Sequence, residues 1–430
     1  MATATTELSG GLLAAVLSEE TFLPAPPESL EETGLPESLI ESLIIKYLGL
    51  VGTASGRGIA KHIALPFGIL ESCYHTLRTR QIATHTGSAQ LNDYYYVLTE
   101  QGRERAHAAM NTCAYVGPAP VPLEDYVVSV EAQTIRAEAP KRDQLVQAFS
   151  DISVNTNLFE SLGPAVNSGT GLFLYGAPGN GKSTLARRIT QCFGQHIWVP
   201  NTLIEDGQLI KLYDAAYHQA VEQEEGGILR CDGFDARWLR IRRPTVMVGG
   251  ELTLDNLEIR HDPACNISEA PLQMKSNCGC LLIDDFGRQR VEPGDLLNRW
   301  IVPLENGHDF LTLSTGKKIQ VPFEQLIIFS TNLEPSDLVD DAFLRRIPYK
   351  IEIGDADETE FRRIFEIYAE QLGCPYDAAA VDYLIDKHYR PMGRPMRRCQ
   401  PRDLLSQIKH YCSYNDLPLK ILGAHFQGQV

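Results

Sequence analysis

The chain has 430 residues, 43% of them hydrophobic, and a formal net charge of -16 at pH 7. That length and apolar content suit two or three domains with buried cores, and the acidic balance excludes a protein that coats nucleic acid indiscriminately. No apolar run reaches the roughly 18 residues of a spanning helix, the first residues lack a basic-then-apolar signal pattern, and the 10 cysteines show no C-x-x-C spacing. The expectation is a cytoplasmic protein with free thiols, not a membrane protein.

In chain order, residues 1–34 are rich in Glu, Pro, Ser and Thr and read as a disordered tail. Residues 35–112 change character. Leu39, Leu43, Ile44, Tyr47 and Leu48 mark an amphipathic helix, and shorter helices are expected over 58–64 and 66–79. A strand over 82–86, a polar turn, a strand over 94–99 and a helix opening at Thr99 complete the segment. This succession, with YYYVLTEQGRERA near its end, resembles the winged helix-turn-helix module of bacterial transcription regulators. The resemblance makes 66–79 the recognition helix, and Arg57, Lys61, Arg78 and Arg80 supply a modest basic face. DNA contact and protein docking both stay open for such a module. Residues 113–140 read as a linker, semi-rigid where YVGPAPVPLEDY is proline-rich.

Residues 141–355 carry the chemistry. The stretch GLFLYGAPGNGKST, Gly171 to Thr184, places a buried strand, a glycine loop and a helix start in the order that G-x-x-x-x-G-K-[ST] requires. The loop Gly176, Ala177, Pro178, Gly179, Asn180 and Gly181, through its backbone N–H groups other than that of Pro178, which has none, and the start of the helix through Thr184 would surround phosphate oxygens. Lys182 would reach the β- and γ-phosphates of ATP, and the Ser183 hydroxyl would ligate Mg²⁺. A second strand is expected at HIWVP, His196 to Pro200, ending in polar Asn201. A third, CLLIDD, delivers Asp284 as a metal ligand and Asp285 to orient or deprotonate the attacking water, although paired aspartates also cap helices. The fourth strand, QLIIFSTN, ends in Asn332, which could bond the γ-phosphate or the lytic water. Arg345 and Arg346 precede a short fifth strand.

Motifs in this order resemble the AAA+ ATPases over roughly 141–417. The resemblance implies an α/β P-loop core with a parallel five-stranded sheet in the order 5-1-4-3-2, and a helical lid over 356–430. It makes Asn332 a sensor, Arg346 the first candidate and Arg345 the second for a finger entering a neighbour's site, and Arg402 a lid arginine touching the nucleotide, with Arg397 and Arg398 competing for that role. It also implies a homo-oligomeric ring, a hexamer as first choice. A hairpin over 310–321 and an insert over about 202–275 are similar to the MoxR and magnesium-chelatase group, which remodels protein partners. The insert's Arg237, Arg240, Arg242 and Arg243 read either as a pore- or neighbour-facing set, with a hairpin after them, or as structural ion pairs. Asp285 departs from the family's usual Glu and is one methylene shorter, so ATP binding is a firmer expectation than rapid turnover. The expected function is an ATP-driven protein remodeller with the N-terminal module as adaptor; the alternative is a DNA-binding ATPase.

Overall fold

A computed structural model of the chain describes residues 22–152, 156–194, 196–221, 233–339 and 341–421. Residues 1–21 of the expected tail lie outside the described residues. The remainder of that tail is ordered: Phe22 is buried against Trp238, ring centroids 5.8 Å apart, and the Thr33 carbonyl accepts from buried Arg237 at 2.9 Å. An aromatic anchor and a backbone partner thus outweigh the segment's polar composition.

Next come the helices Glu37–Val51, Gly56–Ile63, Phe67–Thr79 and Glu100–Thr112 with an antiparallel sheet of Thr53–Ser55, Asp93–Leu98 and Ala83–Ala89, the middle strand being Asp93–Leu98. Local capping sets these boundaries. Ser55 accepts from Gly58 N, Thr99 accepts from Gly102 N, and buried Asp93 accepts from the amides of Gly56 and Arg57. Between this unit and the rest, Val121–Pro122 forms a strand and Leu123–Ala132 a helix. The short strand joins a second sheet in the order Arg260–Asp262, Ile267–Glu269, Gln208–Lys211, Thr202–Glu205, Val121–Pro122. Leu209, buried, belongs to the apolar core of the N-terminal unit, so the two parts share packing.

The central sheet has five parallel strands, β1 (Gly171–Tyr175), β2 (Thr245–Val248), β3 (Cys280–Ile283), β4 (Leu326–Thr331) and β5 (Tyr349–Glu352), in the order β5-β1-β4-β3-β2. Leu172, Phe173, Leu174, Leu281, Leu282, Ile327 and Ile328 are fully buried, as expected of parallel strands covered on both faces. One expectation is corrected. His196–Pro200 is not the second strand of this sheet; it pairs antiparallel with Trp238–Arg242 in a separate ribbon, and Thr245–Val248 takes the edge beside β3. Both runs are short and apolar, and such a run does not encode its partner. After the insert arginines the chain first passes from the ribbon into β2, and the antiparallel pair of the insert follows later, Arg260–Asp262 with Ile267–Glu269.

The hairpin His308–Thr312 with Lys318–Pro322 is present, turning through Gly316 at φ +84°. The helices Glu358–Gln371, Ala378–Leu384 and Gln400–Tyr414 close over Phe361, Phe365, Val381, Leu405 and Ile408. Asp357 and Asp377 cap the first two. Among the described residues no helix is long and apolar enough to cross a membrane.

Candidate nucleotide site

Parallel pairing aligns the C-terminal ends of three strands. Thr331 of β4 lies opposite Tyr175 of β1, and Ile283 of β3 lies opposite Phe329 of β4. The residues that follow, Gly176, Asp284 and Asn332, therefore emerge on one edge, where ligands of open α/β sheets bind. The loop from Gly176 to Gly181 turns there with φ of +125°, +87° and +83° at Gly176, Gly179 and Gly181, and Lys182–Ile189 starts immediately after it. A Cβ on Gly176 would sit 2.7 Å from the Ile353 carbonyl, so the tight turn needs glycine.

The side chains form two hydrogen-bonded sets joined by the Asp285 backbone amide, which donates to Asp284 Oδ1 at 3.2 Å. Lys182 Nζ donates to the carbonyls of Gly176 (2.9 Å) and Ala177 (3.0 Å) and to Asn332 Oδ1 (2.7 Å). Asn332 Nδ2 donates in turn to Asp285 Oδ1 (3.1 Å), and Ser183 Oγ donates to both oxygens of Asp284 (2.9 and 2.8 Å). Burial lowers the Lys182 pKa from its ordinary value, against the opposing pull of the Asp284 and Asp285 carboxylates. Asp285 is exposed and held in the left-handed region at φ +50°.

The lid clasps the loop from above. Asn180 is fully buried; its Nδ2 donates to Asp355 Oδ1 (2.9 Å) and the Ile353 carbonyl (3.3 Å), and its Oδ1 accepts from Arg398 N (3.4 Å). Cys399 N donates to the Gly179 carbonyl at 2.8 Å. A cavity of about 400 Å³ lies between, lined by loop residues from Pro178 to Thr184, by Asp284, Asp285 and Asn332, and on the lid side by Ile364 and Tyr368.

The expected site residues divide accordingly. Pro178, Gly179, Asn180, Gly181, Lys182, Ser183, Thr184, Asp284, Asp285, Asn332 and Arg402 all line this cavity. Of the three competing lid arginines, Arg398 also lines it but is tied to Glu360 at 2.9 Å, whereas Arg402 keeps 58% of its side chain exposed beside Asp403. Arg345 and Arg346 do not line it; Arg346 Nε donates to Glu305 at 2.7 Å. Asn201 is carried by the ribbon rather than the central sheet, and its side chain accepts from Thr202. Two insert arginines are structural: Arg237 is buried on Asp235, and Arg243 donates to the carbonyls of Gln133 and Cys278. Missing from the sequence reading are Asp355, the bidentate pair of Arg188 with Asp151 at the cavity wall, and Cys399 against the loop. Each acts through a partner more than 30 positions away, so no local pattern signals it.

Comparison with known proteins adds little to this geometry. A family model described as a domain of unknown function (DUF8689) matches residues 357–426, the lid. No curated protein matches the chain. Among solved structures the chain is similar to NtrX from Brucella abortus, with TM-score 0.41 and 14% identity over 65% of this chain and just 55% of that one. It is also similar to a mutant RuvB from Thermotoga maritima, with TM-score 0.37 and 13% identity over 64% of this chain and 67% of the other. The P-loop reading therefore rests on the sheet order and on the network around Lys182.

Proposed function

We propose that the chain binds and hydrolyses ATP as a P-loop ATPase of the AAA+ type, acting in the cytoplasm as an oligomeric ring that remodels a protein partner. The observation that carries this reading is the convergence of Lys182, Ser183, Asp284, Asp285 and Asn332 on one sheet edge in two hydrogen-bonded sets joined by the Asp285 amide. The cradle fits a polyphosphate: its glycines leave backbone amides accessible, and the Lys182 ammonium is held beside them. Lys182 would bind the β- and γ-phosphates in place of its present carbonyl partners. Ser183 and Asp284 present hard oxygen donors suited to Mg²⁺, which when bound neutralises charge on the phosphates. Asn332, bridging Lys182 and Asp285, would position the lytic water, and Asp285 would accept its proton.

Arg346, outside the cavity of its own chain, is the group we assign to a neighbouring subunit's γ-phosphate, with Arg345 second. This assignment is the reason for a ring, a hexamer as first choice. The N-terminal unit, a winged helix in this reading, serves as adaptor. Its hairpin Ala83–Leu98 exposes Leu91, Tyr94 and Tyr95, an apolar surface suited to protein contact. DNA contact is the second reading, resting on exposed Arg78 of the Phe67–Thr79 helix; Arg80 is paired with Glu41 at 2.8 Å. A salt-dependent mobility shift lost on replacing Arg78 and Arg80 would favour it over the adaptor.

Phosphate release tests the catalytic assignment. Asp285→Asn should slow turnover at least ~100-fold while leaving ATP binding intact; undiminished release would place the base elsewhere.

A further inference from the structure

The strands β3 and β4 part where the site begins. Their pairing ends with Ile283 opposite Phe329, and the Asp284 amide donates instead to the Val248 carbonyl of β2 at 2.8 Å. Asp285 follows at φ +50° and Gly287 at φ +99°, so the chain leaves the sheet through a turn with two left-handed residues. Aspartate tolerates that region better than most residues do, yet such a turn keeps one geometry only where its surroundings hold it.

Two side chains hold this one. Thr331, the last residue of β4 and fully buried, donates from Oγ1 to the Phe286 carbonyl at 2.9 Å and accepts from the Leu333 amide at 3.2 Å. Phe286 is the residue after Asp285, and Leu333 the residue after Asn332. One hydroxyl thus spans the two backbone segments whose side chains meet at 3.1 Å. Across the mouth of the turn, Gln289 Nε2 donates to the Asp284 carbonyl at 2.9 Å and Gln289 Oε1 accepts from the Gly287 amide at 2.8 Å. The Phe286 amide donates to the Ser330 carbonyl at 2.7 Å and its ring centroid lies 4.9 Å from that of Phe329, which fixes where the turn sits. The Thr331 and Gln289 bonds fix how its peptides are rotated.

We propose that Thr331 and Gln289 are positioning residues for the hydrolysis assigned above, setting the Asp285 carboxylate against Asn332 so that both address one water. The role rests on the ATPase reading, and neither residue lines the nucleotide cavity. Valine at 331 would match the shape of threonine but leave the Phe286 carbonyl without this donor and the Leu333 amide without this acceptor.

Steady-state phosphate release, beside titration with Mg-ATP, tests the role. Thr331→Val should lower kcat at least ~10-fold while ATP affinity stays within ~3-fold, because a misplaced catalytic group costs rate and not ground-state binding. Thr331→Ser keeps donor and acceptor and should recover most of the rate. In an Asp285→Asn chain, Thr331→Val should slow turnover by less than ~2-fold further, because residues that act as a unit are not additive. Gln289→Leu loosens the same turn from its half-buried rim without opening the core, and should lower kcat at least ~5-fold even if Thr331→Val does not fold. Ile328→Val removes buried volume from β4 without touching these bonds, and should leave kcat within ~2-fold. Unchanged kcat in the Thr331→Val and Gln289→Leu chains overturns the proposal, as does a loss in Thr331→Val that multiplies in full with that of Asp285→Asn. Both results leave the ATPase reading standing. Absence of phosphate release from the natural chain overturns that reading and the positioning role with it.

Discussion

Gly179→Ala probes the clasp between loop and lid. The new methyl would stand 2.6 Å from Cys399 Sγ, on a backbone at φ +87°. The torsional cost is about 1–2 kcal/mol, and forcing a methyl into a filled space costs about 1–3 kcal/mol more. The sulfur belongs to the residue whose amide bonds the Gly179 carbonyl, beside Arg398 whose amide bonds Asn180, so the strain should loosen the clasp. The assay is exchange of the Arg398 and Cys399 amides, which should quicken by at least ~10-fold in Gly179→Ala, since each 1.4 kcal/mol is tenfold. Adding Cys399→Ala removes the obstructing sulfur but not the torsion, so most of the steric share should return. A coupling of about 1–3 kcal/mol between the two positions is expected. Unchanged exchange in the single variant, or purely additive effects, would refute the placement of the lid against the loop.

Two other outcomes follow from charge. Arg346→Ala should leave ATP affinity nearly intact, because Arg346 does not line the cavity, yet reduce turnover at least ~10-fold; an unchanged rate per subunit would remove it from the finger role. Asp125 should make stability depend on pH. Burial lifts its carboxyl from 3.8 to about 6, despite nearby Arg237. The folded state thus holds this proton more tightly than the unfolded chain, so the contribution is complete below pH 3.8 and is lost as pH rises through about 6. The span is at most about 3 kcal/mol, and Asp125→Asn should flatten that part of the melting-temperature profile between pH 4 and 7.

Much of the site was legible because each part is local. A buried run ending in a polar residue marks β1, β3 and β4 separately, and the glycine loop announces its own geometry through residues that tolerate positive φ. Parallel pairing then brings Lys182, Asp284 and Asn332 together without further information. What escaped the sequence depends on partners distant along the chain. HIWVP and TVMV are equivalent as patterns, and only the packing of Ile197 and Trp198 against the ribbon core, and of Val246 and Val248 against the sheet, separates them. Asp206 and Gly207, both at positive φ, turn the Thr202–Glu205 and Gln208–Lys211 hairpin, a dipeptide signal inside a stretch otherwise read only as an insert. Arg237 and Arg243 look like a surface cluster in sequence, yet their burial is decided by Asp235 and by carbonyls contributed from residues 33, 120, 133 and 278. Phe22, one aromatic in a polar segment, orders its neighbourhood because Trp238 is there to receive it.

Titration of the purified chain with Mg-ATP, beside Lys182→Ala, is the most direct test of the central claim. Lys182 makes three hydrogen bonds at the mouth of the glycine loop, and exchanging them for charged phosphate contacts is worth a factor of at least ~100 in affinity. The account predicts saturable binding by the natural chain and its loss in the variant. Equal affinities, or no binding by the natural chain, would contradict it.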